Sequence, residues 1–501
     1  MPSPHPYGPQ LITYVDRFSG TVQGLRRMLN GPLDGVFDGV HMLPYYTPYD
    51  GADAGFDPQD HTSVDPRLGT WDDVVELSRD AVVMSDVIVN HVSDESAMYR
   101  DVEQRGEASP WAPMFLTRES VFPDGASDED LARIYRPRPG SPFTPKMWGA
   151  VERLVWTTFT PHQIDIDLRT QEAWTYLGSV VDALCDHGVR MLRLDAVGYT
   201  GKEPGTSCFM TESSREYVER IAALAREKGA QVLLEVHGHY TQQIDIARTV
   251  DYVYDFALPP LVLHALHAHD LAPLRQWFDV RPTNSVTVLD THDGIGIVDV
   301  GRSDLQPGKP GLLGPPQIDA LVEAIHDASG GTSRLATGAA ASNLDLYQVN
   351  CTFYDALGRD DRRYLLARLI QLMTPGVPQV YYVGLLAGGN DTDLLSRTSV
   401  GRDVNRHYYD DQEIAAALET PVVSAQVEAI RLRREHPAFG GEFSAEFHAT
   451  TGTMRWSDGE ATVTLEFDVA EATFALVARD NRGVTLSIGH DRVEPSGPAT
   501  A

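Results

Sequence analysis

Apolar, strand-like runs recur along the chain at 11–15, 39–43, 82–89, 189–195, 231–235, 250–256, 286–289 and 377–383, with helix-like stretches between them. The clearest of those stretches precedes the fourth run. From Thr170 to Asp186, the residues Ala173, Leu177, Val180, Val181 and Leu184 fall at helical spacing, and Gly188 then breaks the period. Eight strands alternating with helices predict an α/β fold, a parallel (β/α)8 TIM barrel rather than an open doubly wound sheet. No glycine-rich phosphate loop follows the first strand, which counts against a dinucleotide-binding sheet.

Two intervals are too long for ordinary connections. Residues 91–168 are rich in Pro, Gly and charge and predict a subdomain inserted after the third strand. Residues 295–358 carry a Gly/Pro stretch and a polar segment and predict a second inserted subdomain. The barrel is then assembled from 1–90, 169–294 and 359–438. Beyond it the period changes to two. Val463, Leu465 and Phe467 alternate, as do Phe474, Leu476 and Ala478, so 439–501 is expected to be a small β domain.

Charge narrows the function. The chain has 41 basic and 71 acidic residues, a net charge of −30, which argues against nucleic acid and anionic membranes as partners. Any anionic substrate must be caught by a local group of arginines. Cys185, Cys208 and Cys351 are odd in number and widely spaced, fitting neither a disulfide framework nor a zinc pattern. No apolar run is long enough for a bilayer, and the N-terminus lacks the pattern of a signal peptide. A cytoplasmic enzyme acting on small molecules is expected.

The candidate chemistry lies at strand ends. Arg193 and Asp195 interrupt the fourth run at alternate positions and so share a face. A guanidinium beside a carboxylate lowers its pKa and fixes its orientation, as a carboxylate nucleophile needs; a structural ion pair is the alternative. Asp50, Asp53, Asp57 and Asp60 follow the second strand, and Asp86, Asn90 and His91 close the third. Glu235, His237 and His239 follow the fifth, and Asp290, His292 and Asp293 the seventh. In a parallel barrel these ends face one mouth. Three carboxylates there suit glycosyl transfer, in which one attacks the anomeric carbon and a protonated one assists the leaving oxygen. The acidic loop 50–60 lacks calcium-loop spacing, and His237 with His239 has no third ligand nearby, so no metal or other cofactor is expected. The polar, aromatic stretch 402–409 after the eighth strand is a candidate anion or sugar contact.

Asp86–His91, Gly188–Val197, Glu235 and Thr291–Asp293 resemble, in order and spacing, the four signature regions of the α-amylase superfamily, glycoside hydrolase family 13. Further stretches resemble its phosphorylase branch: 50–61, 135–140, 205–210, 289–296 and 341–350. The resemblance implies retaining transfer of glucose from sucrose to inorganic phosphate, releasing fructose, with no cofactor. Asp195 would be the nucleophile, Glu235 the acid/base and Asp293 the transition-state stabiliser. Arg193 would hold Asp195, with Leu194 and His237 beside the substrate. Asp53, Phe56, His91, His292 and Arg402 would hold the glucosyl unit, with Phe159 and Gln163 lining the same pocket. Tyr135, Arg138, Asp345, Leu346, Tyr347 and Gln348 would form the acceptor side. The fourth region has Thr291 before His292 and Asp293 where many amylases have Asn, which fits the phosphorylases and speaks against starch hydrolysis. Glucosylglycerol, glucosylglycerate and sucrose 6′-phosphate are the alternative substrates in this branch, and a sucrose hydrolase or transglucosidase shares the same triad. Relatives in the branch include homodimers, so a homodimer is the expected assembly.

Overall fold

The computed structural model describes residues 8–51, 53–137, 140–303, 308–337, 348–481, 483–489 and 493–495. Eight parallel strands close into a barrel: β1 (Gln10–Thr13), β2 (Gly39–Met42), β3 (Val82–Ile88), β4 (Met191–Asp195), β5 (Gln231–Leu234), β6 (Tyr252–Asp255), β7 (Ser285–Thr287) and β8 (Val377–Tyr381). Each pairs with its successor in the chain, and β8 pairs with β1. All eight lie within, or within one residue of, the apolar runs. The runs are visible because parallel strands buried on both faces carry few polar positions.

The helix Gln171–Asp186 forms as its period predicts. Thr170 caps it by accepting from the Ala173 N–H, and it buries Ala173, Leu177, Val180, Val181 and Leu184. Fully burying each Leu or Val contributes about 1.5–3 kcal/mol. The barrel interior, by contrast, is partly polar. Gln379 donates to Gln10 at 2.7 Å and Tyr254 donates to Gln379 at 3.2 Å. Above them, the β3–β4 register sets Asp86 beside Arg193. Buried polar groups are tolerated where they are hydrogen-bonded, and this column carries the site.

Between β3 and that helix, His91–Ser93 pairs antiparallel with Gln163–Asp165, and Phe143–Trp148 pairs with Val151–Trp156. Lys202 ties this segment to the barrel through Asp165 at 2.8 Å and Thr158 at 3.0 Å. After β7, Ile295–Gly296 pairs with Gln348–Val349. The C-terminal sheet is antiparallel: β9 (Glu442–Phe447), β10 (Thr451–Asp458), β11 (Ala461–Asp468), β12 (Thr473–Asp480), β13 (Gly483–Gly489) and β14 (Val493–Pro495). Its alternating apolar face is buried, and Trp456 donates to the carbonyl of Met373 at 2.7 Å, fastening the sheet to the helix Asp361–Met373. The three cysteines are buried free thiols. Among the described residues no helix is long and apolar enough to cross a membrane.

Candidate active site

At the C-terminal ends of the strands a cavity of about 70 Å³ opens. Asp195 on β4, Glu235 after β5 and Asp293 after β7 all line it. Arg193, 2% exposed, stands under the first two. Its Nη1 donates to Asp195 Oδ1 at 2.7 Å and to Asp86 Oδ1 at 2.5 Å, and its Nη2 lies 3.3 Å from Glu235 Oε1. Burial pushes the Asp86 carboxyl up, but His41 at 3.0 Å and Arg193 overcome it and hold Asp86 down at about 2. Asp86 therefore stays charged and anchors the guanidinium.

Asp195 behaves differently from the expectation drawn from its neighbour alone. Burial and the Glu235 carboxylate push its carboxyl well above the ordinary range, against the pull of Arg193. Alternation along one strand reveals the arginine; it does not reveal a second carboxylate arriving from the next strand. Ala196 follows Asp195 in the left-handed region, with φ 57°, and this turn aims its N–H at Glu235 Oε2, 3.1 Å away. A non-glycine residue in that conformation is strained, and the turn joins the two carboxylates.

Asp293 is pinned from the opposite side. Arg402 Nη1 lies 2.6 Å from its Oδ1. Although burial pushes upward, Arg402, His292, Arg406 and His237 hold this carboxyl far below the usual range. His292 stacks on Phe56 with centroids 4.7 Å apart and planes 6° apart. Burial keeps His292 neutral, its pKa down at about 3. His91 Nε2 lies 2.9 Å from the Phe56 carbonyl, and burial lowers its pKa too. Gln163 donates to Asp53 at 2.7 Å. Asp53, Phe56, His91, Phe159, His237, His292 and Arg402 thus line one cavity with the three carboxylates, while Gln163 stands behind Asp53.

Other expectations fare differently. Leu194 is a correction. On a strand whose Arg193 and Asp195 face inward it points to the other side, fully buried, and does not line the cavity. Tyr135 stands one layer back, its ring 4.6 Å from Phe209, which does line it. Gln348 accepts from the Gly294 N–H at 3.2 Å. Arg138, Asp345, Leu346 and Tyr347 lie outside the described residues. His237 and His239 form no pair: His239 caps the helix Tyr240–Ile246 and faces the Pro310 carbonyl at 2.9 Å. Glu235, His237 and Asp293 each bring one possible metal-ligand atom within 4.8 Å of the others. Arg402, 2.6 Å from Asp293 Oδ1, already supplies positive charge to this donor set, so it fits a metal poorly.

The same barrel emerges from comparison with known proteins. Residues 16–256 match the α-amylase catalytic domain. A sucrose phosphorylase of Agrobacterium vitis is 56% identical over 87% of this chain and 89% of its own. A sucrose phosphorylase of Bifidobacterium adolescentis is 53% identical over 91% and 92%. The chain belongs to the α-amylase family. The crystal structure of a sucrose 6F-phosphate phosphorylase from Thermoanaerobacter thermosaccharolyticum superposes with a TM-score of 0.87 at 34% identity, covering 96% of this chain and 97% of that one.

In this α-amylase-family barrel several residues at the site escape a reading by sequence. Tyr199 and Phe209 line the cavity. Phe209 sits between Cys208 and Met210, both with positive φ, and no local period announces that conformation. The stretch 401–406 is mainly a clamp. Asn405 donates to the Thr291 carbonyl at 2.8 Å and to the Asp293 carbonyl at 3.4 Å, and Arg406 Nε donates to the His292 carbonyl at 2.9 Å. Three consecutive residues of the β7 loop are held through their backbone. Only Arg402 of this stretch reaches the cavity.

Proposed function

We propose that the protein is a sucrose phosphorylase, a hexosyltransferase that moves the glucosyl unit of sucrose to inorganic phosphate with retention. The observation that carries this reading is the carboxylate pair Asp195–Glu235 held on one guanidinium, with a third carboxylate across the cavity. The two sucrose phosphorylases above, matching nearly the whole chain, support the choice of substrate.

In this mechanism Glu235 gives a proton to the bridging oxygen of sucrose as the C1–O bond breaks. Fructose leaves, and an Asp195 oxygen bonds to C1. A phosphate oxygen then attacks C1 from the face fructose left, its proton goes to Glu235, and the ester bond to Asp195 breaks. Two inversions give α-D-glucose 1-phosphate. Asp293, kept ionised by Arg402, stabilises positive charge at the ring in both transition states. Phe56, stacked on His292, offers a flat apolar surface to the sugar ring. Asp53 and His91 supply hydroxyl partners; Arg138 and Tyr347, outside the described residues, are the phosphate contacts that the family resemblance implies.

The test is incubation with sucrose, with and without phosphate, followed by assay for glucose 1-phosphate. Phosphate-dependent product supports the reading; only glucose and fructose would make the protein a hydrolase on the same scaffold. Sucrose 6′-phosphate, the substrate class in the name of the solved relative, belongs in the same assay. A cytoplasmic homodimer completes the proposal, and sedimentation at working concentration tests its assembly.

A further inference from the structure

Behind the carboxylates lies a group with no role in the mechanism above. Asp299, 0% exposed, accepts from the Gly238 N–H at 3.2 Å and from Gln243 Nε2 at 3.0 Å. Its other oxygen lies 3.1 Å from His237 Nδ1. The approach depends on Gly296: a Cβ there would lie 2.4 Å from Asp299 Oδ2 and 3.3 Å from His237 Nδ1. The His237 ring is fixed on its flat side by Phe256, with centroids 4.0 Å apart and planes 15° apart. Its remaining nitrogen, Nε2, lies 3.8 Å from Glu235 Oε1 and 3.5 Å from Gln348 Nε2. A carboxylate that holds one ring nitrogen decides which nitrogen faces the reaction.

We propose that Asp299 is a positioning residue that holds His237 by Nδ1–H and presents Nε2 to Glu235 and the incoming phosphate. The inference rests on the phosphorylase reading and assigns Asp299 to its second half. There, as phosphate oxygen bonds to C1 and the ester bond to Asp195 breaks, the phosphate proton goes to Glu235. In its protonated form the imidazole donates from Nε2 to a phosphate oxygen and keeps that proton throughout. Burial alone would favour the neutral ring. Asp299, Glu235 and Asp293 face it and raise its pKa above the ordinary value, while Arg193 and Arg402 act on it only from behind the carboxylates they pair with. A cationic ring at this point offsets the charge of an anion entering a site of three carboxylates.

The test is Asp299→Asn, read in two ways. Site-resolved NMR titration of His237 should show its pKa falling by about one unit or more. The KM for phosphate should rise about tenfold, the scale of losing a carboxylate that orients an imidazole. First-turnover release of fructose should change little, and Asp299→Glu should recover part of the phosphate KM. An unmoved His237 titration, or equal loss in both half-reactions, overturns the proposal. If Asp299→Asn does not fold, the wild-type titration decides: a His237 midpoint at or below the ordinary histidine value overturns it. Absence of any phosphorolysis by the wild type would instead count against the phosphorylase reading, leaving the titration to judge Asp299 alone.

Discussion

Arg193 and Asp195 lie two residues apart on one strand and meet at 2.7 Å, and the same guanidinium reaches Glu235 at 3.3 Å. One buried cation thus serves both carboxylates, with Asp86 holding it at 2.5 Å. The orientation of Asp195, the proposed nucleophile, depends on a residue that need not touch the sugar.

Replacing that cation should therefore cost stability as well as activity. Arg193→Met removes the cation from the buried Asp86 and Asp195 and from the partly buried Glu235, leaving Asp86 with His41. Urea unfolding at neutral pH should show a loss of about 3–5 kcal/mol, the scale of breaking a buried ion pair. Unchanged stability would mean the carboxylates are neutral in the fold.

Asp195→Asn should behave in the opposite way. A neutral amide cannot form the ester, so turnover should fall at least about 10⁴-fold. Stability should hold, because Arg193 keeps Asp86 and Glu235. Calorimetry and single-turnover fructose release separate the two effects.

The clamp on the β7 loop gives a third expectation. Asn405→Ala frees the carbonyls of Thr291 and Asp293 without touching a side chain of the cavity. Misplacing Asp293 should lower kcat about 10–100-fold, with a smaller change in the KM for sucrose. A change confined to KM would make Asn405 a binding contact.

Asp57 supplies a pH dependence. It is 3% exposed, and burial, with the Asp53 charge next, pushes its pKa up to about 7. Between the unfolded value of 3.8 and about 7, the folded state holds a proton that the unfolded state has lost. Stability from this group is whole below 3.8 and is lost as pH rises through 7. Asp57→Asn should therefore stabilise the protein at pH 8 by on the order of 4 kcal/mol and do little at pH 4. Thermal melts of both forms at both pH values check it.

How much of this is visible before folding depends on range. The barrel strands and the inward pair Arg193 and Asp195 follow from periods of a few residues. The same alternation shows why Leu194 belongs on the other face. Asp299 is 62 positions from His237, and Asn405 is 114 from Thr291. Those contacts exist only once neighbouring strands set their loops side by side, and the clamp reaches backbone atoms that every sequence has. The upward push on the Asp195 pKa is hidden for the same reason: it comes from burial and then from Glu235, which arrives from the end of β5.

The central claim is a glucosyl ester on one side chain. Glu235→Gln, unable to assist turnover of the ester, is mixed with an activated α-glucosyl donor, quenched in acid and digested, and its peptides are mapped by mass spectrometry. The account predicts one added glucosyl unit on the peptide bearing Asp195. A sugar on any other residue, or none together with β-glucose 1-phosphate as the wild-type product, would contradict it.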